Sequence, residues 1–327
     1  MRKISGRKGE MRVEKPQVLC IKGPTASGKT ALSVALAQQM DGEVVSADSM
    51  QIYREMNIGT AKPDEAERQG VPHHMLDVAD AGEDYSAARY AEEASACVDD
   101  ILRRGKLPII AGGTGLYLDA LIKGIDFAKK ETDGALRAEL TREAETPEGM
   151  DRLIECLRQV DPESAARLHR NDKKRVIRAL EIYRLTGQTM TEHDRESRVR
   201  PPRYRAVSIA LTAEPRALLY RRIDQRVEKM VAAGLYEEAK GLWERGLFAG
   251  TAGQAIGYKE WVPCFEGKET KEQAAEAIRQ NTRRYAKRQL TWLRREEALY
   301  WIQFNREEDF REVCALSRGF AKRCGVK

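Results

Sequence analysis

The run Gly23-Pro24-Thr25-Ala26-Ser27-Gly28-Lys29-Thr30 sets two glycines, a lysine and a threonine at the spacing G-x-x-x-x-G-K-[ST]. Glycines let backbone N–H groups turn inward around phosphate oxygens, and a helix starting just after them adds its positive end. Lys29 supplies a point charge, and the Thr30 hydroxyl is a ligand for Mg2+. The apolar run Q-V-L-C-I-K (17–22) precedes the loop, and helical spacing at Leu32, Val34, Leu36 and Ala37 follows it. That strand–turn–helix context is what such a loop requires. The cradle holds a diphosphate or triphosphate but does not name its owner.

Enzymes that use ATP or GTP carry a second acidic site, an Asp ending an apolar strand, to hold Mg2+. The apolar run Leu107 to Ala111 instead ends in G-G-T-G, and the strand-terminal acid is Asp48, in S-A-D-S-M-Q-I-Y. Ligands of an open parallel sheet sit at the carboxyl ends of its strands. Asp48 and Thr114 therefore face the crevice that holds Lys29. Asp48 is a candidate for metal coordination or for taking a proton from an acceptor; its plainer role is a helix N-cap. Thr114 is a candidate donor to a phosphate or leaving-group oxygen, against a plain turn. Arg222 and Arg226 lie four apart on one helix face; they reach the crevice or pair at the surface with Asp224 or Glu228. His73 and His74 are adjacent and cannot share one side of a strand or helix. They read as packing or loop hydrogen bonds rather than as a metal pair.

The elements that must position these residues follow from periodicity. Strands are predicted at 17–22, 43–47, 107–111, 206–212 and 299–304, and helices at 85–104, 215–246 and 271–297. Alternation of the two means a parallel sheet covered on both faces. From 129 to 200 the chain is charged and helix-prone without a convincing strand, and Asp161 is placed to cap a helix that has Pro162 at its first position. The fold class is α/β: a P-loop NTPase-like parallel sheet flanked by helices, with a helical insertion domain. The expected division is a discontinuous core, 17–127 and 203–310, around an insertion at 128–202. Residues 1–16 are polar and aperiodic, a disordered tail or an over-long start with Met11 as the alternative initiator.

The chain has 327 residues with 42% hydrophobic and 33% charged, and a net charge of +6. The charge is clustered. Residues 170–205 hold eleven Lys/Arg against five Asp/Glu, and residues 279–295 hold seven Lys/Arg and no acid. Such clusters suit a polyanion or a solvated helix face. No apolar run is long enough to cross a bilayer, and no signal-peptide core opens the chain. Six cysteines without C-x-x-C or finger spacing point to reduced thiols in a cytoplasmic setting and argue against structural zinc.

Seven motifs occur in order: G-P-T-A-S-G-K-T, S-A-D-S-M-Q-I-Y, N-I-G-T-A-K-P (57–63), V-P-H-H-M-L-D (71–77), G-G-T-G-L-Y (112–117), R-V-I-R-A-L-E (175–181) and A-I-G-Y-K-E (255–260). The chain thereby resembles the tRNA dimethylallyltransferase (tRNA isopentenyltransferase) family, over about residues 17–295. The resemblance implies that the phosphate loop holds dimethylallyl diphosphate and that the prenyl group goes to N6 of adenine 37, next to the anticodon of tRNA. It implies Asp48 as the general base. Residues 25–30, Lys29, Mg2+ on Thr30, Thr114 and Arg226 would neutralise the leaving diphosphate. It assigns tRNA contacts to Asp48, Ser49, Met50, Gln51, Arg137, Lys174, Arg175, Val176, Ile177 and Arg178. Arg284 and Arg288, on one face with Gln280 and Lys287, would grip the RNA backbone, while Leu290 and Leu293 turn to the core. Two departures stand out. The stretch before Arg137 lacks an expected proline, which loosens the placement of Arg137, and the C-terminus lacks the Cys/His finger of some eukaryotic members. The expected assembly is a monomer with no membrane and no obligate protein partner. The competing readings are a small-molecule or nucleoside kinase and a non-catalytic RNA-binding ATPase.

Overall fold

The computed structural model describes residues 15–125, 133–197, 201–248, 250–306 and 309–326. Most of the expected N-terminal tail, 1–14, lies outside the described residues, as do 128–132 and 198–200 of the expected insertion. The chain divides into two compact units: one runs to Ile122 and resumes at Pro202, and the other is Lys123–Pro201.

The first unit is built on six parallel strands, β1 (Gln17–Lys22), β2 (Gly42–Ala47), β3 (His73–His74), β4 (Leu107–Gly112), β5 (Arg205–Ala213) and β6 (Tyr300–Phe304), ordered β3-β2-β4-β1-β5-β6. Val18 to Ile21 in the central strand are fully buried, as a strand covered on both faces requires. The register matters for function. Lys22 stands beside Gly112 and Ala210, and Ala47 also stands beside Gly112. The loops that follow β1, β2 and β4 therefore leave the sheet at one level. The strand order reverses at this place, where open α/β sheets form their ligand crevice.

The helices of this unit are α1 (Lys29–Gln39), α2 (Glu65–Arg68), α3 (Ala87–Arg103) and α4 (Gly115–Lys123), whose last residue opens the second unit. After the second unit come α10 (Arg216–Ala232), α11 (Leu235–Glu244), α12 (Val262–Phe265), α13 (Lys271–Leu293) and α14 (Phe310–Arg323). The span expected as one helix over 215–246 is two, because Gly234 takes a left-handed φ of 98° between α10 and α11, a conformation glycine adopts at little cost. Leu36, Leu219 and Val313 join Leu19, Ile21 and Ile209 in one core, so α14 belongs to it although the expected core stops at 310.

The regular elements among the described residues of the second unit are all helices: α5 (Gly134–Glu143), α6 (Pro147–Val160), α7 (Pro162–Arg167), α8 (Lys173–Thr186) and α9 (Met190–Glu196). Its own core gathers Leu140, Met150, Leu153, Leu157, Val176, Ile177 and Leu180. Asp161 caps α7 by accepting from the Ser164 amide at 3.0 Å, and its carboxylate also accepts from the Thr191 amide and hydroxyl. One acid thus pins α7 to α9. No described helix is long and apolar enough to cross a membrane.

Candidate active site

The phosphate loop runs from β1 into α1. Gly28, at the head of α1, has a left-handed φ of 90°, and the first amides of the helix have no acceptor inside it. A Cβ on Gly23 would stand 2.7 Å from the Leu211 carbonyl, so only glycine lets the loop lie this close to β5. Lys29 Nζ donates to the Pro24 carbonyl at 2.7 Å. Its pKa falls to about 7, mainly because it is buried and secondarily because the Arg226 charge is near, while Asp48 opposes the fall.

Lys29, Thr30, Thr25, Asp48 and Arg226 line one cavity of about 310 Å3. Arg226 comes from α10, and burial lowers its pKa too, with Glu67 and Asp48 acting the other way. The surface pairing that would have occupied the two arginines is not formed. Asp224 pairs with Arg283 at 2.5 Å and Glu228 approaches Arg279 at 3.9 Å. Arg222 instead donates through Nε to the Ala26 carbonyl at 2.9 Å and so braces the phosphate loop from outside.

Asp48 follows β2. Its Oδ1 accepts from the Met50 amide at 2.9 Å and the Gln51 amide at 3.4 Å. The carboxylate therefore caps a turn, not the helix N-terminus that was its plainer expected role, and it also stands on the cavity wall. Thr114 is not on that wall. Its Oγ1 accepts from the Ser49 amide at 3.0 Å, one residue behind, so in this geometry it steadies the Asp48 turn rather than pointing at a leaving group. Ser27 is buried behind the loop and also does not line the cavity. Gln51 lines it, with its amide donating to the carbonyls of Thr60 and Ala61.

Several wall residues were not singled out from the sequence. Ile278, Thr282, Tyr285 and Gln289 on α13 all line the cavity; they form an uncharged stripe at helical spacing inside a basic run, and that stripe was the available signal. The Tyr285 pKa is pushed up to about 12, first by burial and then by the Asp48 charge, with Thr114 and Gln289 as its hydrogen-bonding neighbours. Close approach of α13 depends on glycine: a Cβ on Gly113 would lie 2.2 Å from Gln289 Nε2. The N-I-G-T-A-K-P loop is held from α11, where the Glu238 carboxylate accepts from the amides of Asn57, Ile58 and Gly59 and from the Tyr258 hydroxyl. Lys62 ties the same loop to Tyr53, Asn57 and Asp77. His73 lines the cavity, donating through Nδ1 to the Val71 carbonyl at 2.8 Å. His74 turns the other way, to Glu43 at 2.8 Å.

Among the described residues no group of three or more His, Cys, Asp or Glu could hold a metal. The Thr30 hydroxyl at the loop is an oxygen donor of the kind that suits Mg2+, which keeps waters and takes substrate phosphates rather than a full protein cage.

The residues expected at RNA divide. Arg284 and Arg288 are exposed on α13, and Arg288 also reaches the cavity wall and lies over the Tyr285 ring at 5.6 Å. Leu290 and Leu293 are buried, as expected. In the second unit Lys174 and Arg175 are exposed. Val176 and Ile177 are not: they are 1% and 7% exposed in that unit's core. Their side chains are spent on packing, because α8 turns that face inward. Arg137 and Arg178 both meet Glu181.

Residues 51–296 match the family model described as IPP transferase. A relative from Acetivibrio thermocellus, named tRNA dimethylallyltransferase, is 46% identical over 89% of this chain and 92% of its own length. One of the same name from Geobacillus thermodenitrificans is 47% identical over 90% and 92%. The solved full-length tRNA isopentenylpyrophosphate transferase of Bacillus halodurans superposes with a TM-score of 0.69 at 41% identity, covering 94% of this chain and 98% of that one. A eukaryotic dimethylallyltransferase solved acting on tRNA gives 0.78 at 32% identity, over 94% and 80%. These relatives are prenyltransferases, and none of them speaks for a kinase. The chain belongs to the IPP transferase family.

Proposed function

We propose that the chain transfers the dimethylallyl group of dimethylallyl diphosphate to N6 of adenine 37 in tRNA and releases diphosphate. The observation that carries the reading is the meeting of Lys29, Arg226 and Asp48 in one cavity: two cations for a leaving diphosphate and one carboxylate for a proton.

In the reaction the bond between C1 of the allyl group and the diphosphate oxygen breaks, and a bond from N6 to C1 forms. An exocyclic adenine nitrogen is a weak nucleophile because its lone pair is delocalised into the ring. Asp48 takes the N6 proton as that bond forms, and its own turn, capped by the Met50 and Gln51 amides, fixes its direction. Negative charge grows on the departing oxygens. Lys29, Arg226 and the amides heading α1 stabilise it at short range, as donors already aimed at the developing charge do. Bound Mg2+, held by Thr30, would add further neutralisation of the diphosphate. Thr114 supports the Asp48 turn through Ser49.

The adenine must leave its stack in the anticodon loop to reach Asp48, at a cost of about a few kcal/mol. Arg284, Arg288, Lys174, Arg175, Arg137 and Arg178 offset this through phosphates. The reading includes a cytoplasmic setting, where the substrate tRNA and free thiols coexist. The test mixes the protein with Mg2+, labelled dimethylallyl diphosphate and an anticodon stem-loop carrying adenine at position 37. Label in the RNA supports it. ATP hydrolysis without RNA labelling would favour the kinase.

A further inference from the structure

In the second unit two arginines converge on one buried acid. Arg137 Nη2, from α5, donates to Glu181 Oε2 at 2.8 Å, and Arg178 Nη1, from α8, donates to the same oxygen at 2.7 Å. Glu181 is 0% exposed, while the Arg137 and Arg178 side chains are 50% and 19% exposed. The second carboxylate oxygen, Oε1, is buried without a partner among the described residues.

A pair built for stability alone has a different form. One guanidinium would take both oxygens side by side, and no buried lone pair would be left unsatisfied. Here one negative charge draws two positive ones together, and the cluster keeps a net positive charge. Each guanidinium has five N–H donors in a rigid plane, and each commits one to Oε2. The remainder is directed by where Glu181 anchors the two planes. Lys174 lies one turn before Arg178 on α8, and Lys174 and Arg175 are both exposed. Burial works to neutralise Glu181, yet the bonds from Arg137 and Arg178 outweigh it and hold its carboxyl below the usual range.

We infer that Glu181 is a positioning residue that sets Arg137 and Arg178 as a two-pronged fork for backbone phosphates of the anticodon stem-loop. The inference rests on the tRNA reading above. The phosphate is recognised as a tetrahedral anion with several acceptor oxygens, which two angled guanidiniums match better than separate lysines do. The RNA backbone is the occupant the surrounding charge favours: residues 170–205 carry more than twice as many Lys/Arg as Asp/Glu.

The experiment compares wild type, Glu181→Gln, the pair Arg137→Ala with Arg178→Ala, and all three changes together. Stem-loop affinity is measured across a salt series, with KM for stem-loop and for dimethylallyl diphosphate, and with thermal unfolding. The expected result for Glu181→Gln is about tenfold weaker stem-loop binding and a salt slope smaller by about 0.7 for each phosphate no longer neutralised. KM for the diphosphate stays unchanged, and Glu181→Gln adds nothing once both arginines are gone. Unchanged stem-loop affinity in a folded Glu181→Gln protein overturns the inference, as does an equal loss with the arginines already removed. Should Glu181→Gln fail to fold, Arg137→Lys and Arg178→Lys carry the test. Each keeps the charge and loses the fork, so the account expects weaker binding from each and a combined loss that is not additive; independent, additive losses overturn it. A wild-type chain that binds no stem-loop removes the ground for both readings, whereas one that prenylates it while Glu181→Gln matches it removes only the fork.

Discussion

The Gln289 side-chain oxygen accepts the Thr25 amide at 2.9 Å, and its Nε2 donates to the Gly113 carbonyl at 3.0 Å. One buried side chain on the basic helix thus joins the phosphate loop to the loop after β4. Removing it leaves the buried Gly113 carbonyl and the partly buried Thr25 amide unpaired, at about 1–3 kcal/mol for the first and less for the second. Gln289→Ala is expected to lower stability by roughly 2–4 kcal/mol in denaturant unfolding and to raise KM for dimethylallyl diphosphate, because the Thr25 end of the cradle loses its anchor. A variant with wild-type stability and KM would show that the bridge carries no strain between the two loops.

Lys29 gives a pH prediction with a definite sign. Its pKa in the free protein is about 7, against about 10.4 for an unperturbed lysine. Between these values the unfolded chain holds the proton and the folded one does not, so this group makes stability rise with pH from about 7 upward. Binding works in the opposite sense. A diphosphate needs the charged amine, so binding above pH 7 must take up a proton, and affinity for dimethylallyl diphosphate falls as pH rises through 7 to 9. Calorimetry in buffers of different ionisation enthalpy would detect that uptake, and Lys29→Met should abolish it. Proton release on binding would contradict the assignment.

The two kinds of residue on α8 should separate cleanly. Val176 and Ile177 lie in the small core, while Lys174 and Arg175 lie outside. Ile177→Ala is expected to destabilise the protein by about 2–5 kcal/mol through the cavity it leaves. Lys174→Ala with Arg175→Ala should leave the unfolding midpoint unchanged, weaken stem-loop binding and flatten its salt dependence. A salt-slope change from Ile177→Ala at full folding, with none from Lys174→Ala, would reverse the assignment.

How much of this could be read beforehand depends on how local each signal is. The phosphate loop and Asp48 share one crevice, as a glycine spacing and a strand end specify with no knowledge of the rest. The strand at His73–His74 is not specified in that way, since two residues cannot show an alternation; its pairing with Val44 and Val45 comes from the sheet. Tyr285 and Gln289 were hidden because their role depends on which face of α13 meets the crevice, which the spacing of a mostly basic helix does not fix. Val176 and Ile177 came with a motif that names a segment, and a segment on a helix has an inside as well as an outside. Thr114 was placed on the right loop, but its hydroxyl is claimed by Ser49, a hydrogen bond that spacing alone does not encode.

The most direct measurement is single-turnover transfer of labelled dimethylallyl group to an anticodon stem-loop by Asp48→Asn, alongside the binding of dimethylallyl diphosphate to the same variant. Donor affinity close to wild type is expected, with transfer slowed by about 10²–10⁴-fold, the usual range for loss of a positioned base. Transfer at the wild-type rate, or a defect confined to donor binding, would contradict the role of Asp48 as the base.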